Sequence, residues 1–162
     1  MKRHDDHSTN DGPLYSEIVR DFAALADLRP PSAHTVLLLV ADSTGVHTDI
    51  VSAVAEQLFA IGLTYLCVWG PGCQRVHDIF DEVYVGDSRS EPEHSFMSTW
   101  HHDEPLDAAL WFFLHCANPD AADLSSTSFL AVTVGNEPWA AAVEHALADT
   151  SAFVRRILAD EA

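Results

Sequence analysis

Hydrophobic residues fall into short unbroken runs, and between the runs they recur at helical spacing. The clearest run is Thr35, Val36, Leu37, Leu38, Leu39, Val40 and Ala41. An apolar run of that length predicts a strand buried on both faces of a parallel sheet. It leads into the polar stretch Asp42, Ser43, Thr44, Gly45, Val46 and His47, which reads as a strand-to-helix turn. Ile50, Val51, Val54, Leu58 and Ile61 then mark a helix face that Gly62 ends. A second strand is predicted over residues 64–69, broken by the turn Gly70, Pro71, Gly72. Val76, Ile79 and Phe80 predict a short helix, and Val83, Tyr84 and Val85 a short third strand at a sheet edge.

The later chain repeats the scheme. Residues 96–100 are expected as a fourth strand. Asp103 and Pro105 then start a helix with Leu106, Ala109, Leu110, Phe113 and Leu114 on one face, while Trp111 and Phe112 lie off that face. Residues 129–134 form a fifth strand. Asn136 caps a helix marked by Trp139, Val143, Ala146 and Leu147, and Phe153, Val154, Ile157 and Leu158 continue as a C-terminal helix. Upstream, Leu14, Ile18, Phe22 and Leu25 recur at helical spacing and predict an N-terminal helix stopped at Pro30 and Pro31.

Strands alternating with helices imply βαβ units with right-handed crossovers. The expected fold is an α/β three-layer sandwich around a five-stranded, mostly parallel Rossmann-like sheet. Its expected order is 3-2-1-4-5, with an extra N-terminal helix. The link from the third to the fourth strand shows no clear helix, so an antiparallel fourth strand is the alternative. Residues 1–12 are expected as a polar disordered tail and residues 13–162 as one domain.

Charge narrows the functions. The chain carries 25 acidic and 8 basic residues, a formal net charge of −17. Such a field repels phosphate backbones, so no nucleic-acid partner is expected. Solubility is the preferred account of the acidity, with a basic protein partner as the sharper alternative. No apolar run is long enough for a membrane span, and the polar N-terminus lacks a signal-peptide core, so a cytoplasmic location is expected. Cys67, Cys73 and Cys116 are the three cysteines, an odd number with no CxxC pair, which argues against a disulfide framework and a zinc ribbon.

Ligands in open α/β sheets bind beyond the C-terminal strand ends, at the switch in strand order. In the expected topology, Asp42, Ser43, Thr44, Gly45 and His47 form one wall of that crevice, and Trp69, His101 and His102 belong to the ligand-facing set. Ser43 to His47 suggest an anion site at a helix start, yet neither dinucleotide nor P-loop glycine pattern is present, and Asp42 repels anions. Helix capping by Asp42 or Ser43 is the preferred account. Cys73 and His77, four residues apart on one helix face, have ligand-compatible spacing, with His101 and His102 to complete a metal site. Cys73 is also a candidate nucleophile at a helix start, with His77 or His101 as base. An inert thiol is the commoner state. His115 lies near a helix end, where the dipole favours a cation.

Trp69 to Cys73, Arg75 to Asp78, Thr99 to His101 and Leu106 to Phe112 carry a resemblance. The chain resembles an uncharacterised family of small bacterial α/β proteins with a W-G-P-x-C-x-x-x-H motif and downstream T-W-H and A-L-W-F-F motifs. The resemblance covers much of residues 35–147. It implies a domain of unknown function, supports the α/β fold and supplies no catalytic residue or cofactor. The leading expectation is non-enzymatic binding of a protein partner or small ligand at the C-terminal edge of the sheet, as in an antidote or regulator. The alternatives are a metal- or thiol-dependent enzyme using Cys73, His77, His101 and His102, and a nucleotide-binding domain using residues 42–47.

Overall fold

The structure, a computed structural model, describes residues 1–4, 12–86, 95–119 and 126–160. Six strands form one sheet: β1 (Lys2–His4), β2 (Leu14–Val19), β3 (His34–Val40), β4 (Leu63–Trp69), β5 (Met97–His101) and β6 (Thr127–Val134). Their spatial order is β1-β2-β6-β3-β4-β5, parallel throughout except that β1 runs antiparallel to β2. Among the described residues five α-helices accompany them: α1 (Thr48–Ala60), α2 (Cys73–Gly86), α3 (Leu106–His115), α4 (Glu137–Ala148) and α5 (Thr150–Asp160).

The apolar run at residues 36–40 becomes β3, the strand between β4 and β6, and each of these side chains is at most 1% exposed. Alternation sends Leu37 and Leu39 into a core with Val51, Val54 and Leu58 of α1 and Val76 and Phe80 of α2. Val36, Leu38 and Val40 enter a second core with Leu110 and Phe113 of α3, Val143 and Leu147 of α4, and Phe153 of α5. The result is the expected three-layer α/β sandwich with a mostly parallel sheet. Strand count and order differ from the expectation.

Residues 14–19 form a strand where a helix was expected. Their burial alternates at Leu14 and Ser16, and β2 pairs in register with β6 from Leu14 opposite Phe129 to Val19 opposite Val134. The helical spacing of Leu14, Phe22 and Leu25 was coincidental: Leu14 sits in the core on one side of the sheet, Phe22 and Leu25 in the core on the other. A 3-10 turn at Ala23–Asp27 carries the chain between those layers. Within the tail expected over 1–12, Lys2–His4 forms β1, and residues 5–11 lie outside the described residues.

Val83, Tyr84 and Val85 are the last turn of α2 and not a third strand. Val83 packs against the core and Val85 is 70% exposed, as one helical turn requires. Met97–His101 is therefore the third strand of the βαβ series, parallel to β4 and at the sheet edge, so the antiparallel alternative fails. The expected 3-2-1-4-5 order does not hold: with residues 83–85 helical, β5 takes the place beside β4. Beside β3 lies β6, and the outer place is taken by β2, from before the series.

Local chemistry sets the element ends. Gly62, at φ +94°, ends α1, and a Cβ there would lie 1.9 Å from the Ala33 carbonyl oxygen. Asn136 caps α4 as expected, its Oδ1 accepting from the Trp139 N–H at 3.0 Å. Asp103 does not cap α3. It adopts φ +57°, and Pro105 holds the capping position without a side-chain bond. No helix among the described residues is long and apolar enough to cross a membrane.

Candidate functional site

Strand order places the switch point between β3 and β6, and not beside β5 as expected. The 42–47 loop leaves β3 there and packs onto the turn that follows β4. Ser43 is 1% exposed, and both its N–H and its hydroxyl donate to the Pro71 carbonyl, at 2.9 and 3.1 Å. Gly72 permits this approach: a Cβ would lie 2.6 Å from Ser43 Oγ, at a backbone φ of +80°. Arg75 fastens the loop from α2, its Nη2 donating to the Ser43 and Val46 carbonyls at 2.9 and 2.6 Å.

Asp42 closes the turn by accepting from the Thr44 hydroxyl at 2.7 Å and the Thr44 N–H at 3.1 Å. The hydroxyl bond, then the N–H bond, holds the Asp42 carboxyl below its ordinary value. Neither Asp42 nor Ser43 caps α1, contrary to the capping account. That role falls to His47, whose Nδ1 accepts from the Asp49 N–H at 3.3 Å. Ser43 thus directs its donors to the Pro71 carbonyl and Thr44 to the Asp42 carboxylate. Gly45 stands in open space.

The Cys73, His77, His101 and His102 group does not converge. Trp100 and His101 are neighbours on β5, so their side chains leave opposite faces of the sheet. His77 on α2 meets Trp100, with ring centroids 4.4 Å apart, and pairs with Asp78 at 3.0 Å and Asp81 at 3.4 Å. His101 turns to the α3 side and packs on Phe112 at 4.9 Å. His102 is exposed and pairs with Asp103 at 3.1 Å. Cys73 is 1% exposed; burial pushes its thiol up, only partly offset by the backbone N–H groups of Gln74 and His101. A raised value opposes the thiolate that nucleophilic attack and metal binding need. Among the described residues no group of three His, Cys, Asp or Glu side chains is arranged to hold a metal ion.

A different set converges at the end of β5. An open cleft of about 670 Å³ is lined by Thr99, Trp100 and His101 of β5, by Glu104, Pro105, Asp107 and Ala108 at the start of α3, and by Trp111, Phe112 and Ile157. Its volume is in the range of small-molecule sites. His101 is 6% exposed and joins two of the other polar groups. Its Nδ1 lies 3.0 Å from Glu104 Oε2, and its Nε2 lies 3.3 Å from Thr99 Oγ1. A carboxylate only accepts, so Nδ1 carries the hydrogen and a neutral ring offers Nε2 as acceptor to the Thr99 hydroxyl. The Trp69 indole N–H donates to the Glu104 carbonyl at 2.8 Å and packs edge-on against Trp139 at 5.1 Å. Trp69 therefore supports the loop that carries Glu104.

Of the residues singled out in the sequence, His101 lines this cleft and Trp69 supports it. Cys73, His77 and His102 are not among its lining residues, nor is the 42–47 loop. Thr99, Glu104 and Ile157 were missed, because a hydroxyl, a carboxylate and an isoleucine at these spacings match no motif. The readable signal was Trp111 and Phe112, two large aromatics off the core-facing stripe of α3, which prove to be cleft walls.

No curated protein and no solved structure matches the chain. A family model for a domain of unknown function, DUF7684, covers residues 16–150, and it spans the sheet from β2 to β6 and every residue of the cleft except Ile157. The chain belongs to that uncharacterised family.

Proposed function

We propose that this protein is a non-enzymatic, cytoplasmic binding module that takes a small organic ligand in the cleft between β5 and α3. One observation carries the reading. A cavity of about 670 Å³ has aromatic walls from Trp111 and Phe112 and a fixed polar group, Thr99, His101 and Glu104, at its side. Apolar walls with a few oriented polar atoms are the usual make-up of a ligand site.

The order hydroxyl, imidazole, carboxylate also suits proton transfer. Binding is favoured because the Thr99 hydroxyl bond to His101 is long, at 3.3 Å, and the same hydroxyl also meets Tyr65 and Cys67. A nucleophile would need to be held for attack, whereas a ligand anchor only needs to be present. A basic protein partner is the second reading, favoured by the net charge of −17.

Thermal shift against an aromatic fragment library tests the proposal, using wild type and Ala108→Trp, which fills the cleft from α3. Fragments that stabilise wild type and not the variant support it. Fragments that stabilise both equally place the site elsewhere.

A further inference from the structure

The cleft carries a sign of charge as well as a shape. Among its lining residues are two carboxylates, Glu104 and Asp107, and no lysine or arginine. Asp107 is paired with Arg156 Nη2 at 3.2 Å, which offsets its charge. Glu104 is different. Among the described residues its one ion-pair candidate is His101, whose Nδ1 is held to a single carboxylate oxygen at 3.0 Å. Among the described residues, its second oxygen has no hydrogen-bond partner. Distant neutralisation is scarce too, with 8 basic residues against 25 acidic ones.

We propose that the ligand is a small organic cation, an amine carried on a flat apolar body. This rests on the cleft being the binding site. The ammonium would sit against the unpaired Glu104 oxygen, and the apolar body would lie along Trp111, Phe112 and Ile157. Aromatic faces attract cations through the ring quadrupole, so the walls and the carboxylate favour the same sign. An anionic ligand would meet the Glu104 carboxylate and the field of the whole chain.

Isothermal titration with three aromatic ethylamines (phenyl, indolyl and naphthyl), each with its alcohol and carboxylate counterpart, reads the preference. Amines should bind at least about tenfold tighter than the matching alcohols, and carboxylates should not bind. Glu104→Gln keeps an acceptor for His101 and removes the charge. It should bring amines to within about threefold of alcohols. Alcohols binding as well as amines to wild type would overturn the cation and leave the cleft standing. Binding by no compound would overturn both. Nα-acetyl-lysine methylamide stands for a protein-borne cation, and its binding as tightly as the best aromatic amine would overturn the small-ligand assignment.

Discussion

His77 and His101 lie on opposite sides of one strand: the first packs at a tilt against Trp100 at 4.4 Å and the second edge-on against Phe112 at 4.9 Å. Among the described residues they share no side-chain partner. His77 pairs with Asp78 and Asp81, and His101 with Glu104 and Thr99. The stability costs of His77→Ala and His101→Ala should therefore add to within about 0.5 kcal/mol in a double-mutant cycle. A coupling well above that in chemical denaturation would contradict the separation.

Thiol chemistry should single out one cysteine. Cys116 is exposed, whereas Cys67 and Cys73 are buried. Burial pushes the Cys67 thiol up to about 12 and raises that of Cys73. In native protein near neutral pH, a disulfide reagent should modify Cys116 quickly and the other two only after unfolding. Fast native labelling of Cys73 would revive it as a reactive thiol.

His115 gives a pH dependence whose sign is fixed by burial. The dipole at the end of α3 favours its cation, but burial lowers its proton affinity below the ordinary 6.5. Its Nε2 is buried without a partner among the described residues. The unfolded chain then takes the proton first. Stability from this group is full above about 6.5 and declines as pH falls toward the folded-state value. His115→Gln should flatten that part of the stability curve. An unchanged slope in urea melts across the window would contradict the burial argument.

Arg75 should prove structural. Its guanidinium donates to the Ser43 and Val46 carbonyls at 2.9 and 2.6 Å and reaches Thr48 Oγ1 at 3.3 Å. Lysine cannot reproduce that fork. Arg75→Lys should cost about 1–2 kcal/mol in denaturant unfolding and leave ligand binding at the cleft unchanged. Lost ligand binding at full stability would return the 42–47 loop to the site.

The long strands and amphipathic helices were legible in the sequence because burial on two faces or one leaves a simple period. β3, β4 and β6 are the unbroken runs, and α1, α3 and α4 each carry a buried core-facing stripe. The outer strands were harder. In β2 the exposed Ile18 falls on the helical spacing, while the buried Ser16 that marks the strand is polar. The triplet at 83–85 has strand-like composition but finishes α2. The site was legible only as a sheet end. Trp69 and His101 are the last residues of β4 and β5, and which face each side chain takes depends on strand parity. Parity sets Trp100, which meets His77, opposite His101 and brings Thr99 onto the His101 side.

Backbone amide shifts on titration with the tightest aromatic amine test the central claim most directly. The account predicts saturable shifts centred on Thr99, His101, Glu104, Ala108 and Trp111, absent in Ala108→Trp. Shifts centred on Asp42 to His47, or none that saturate, would contradict it.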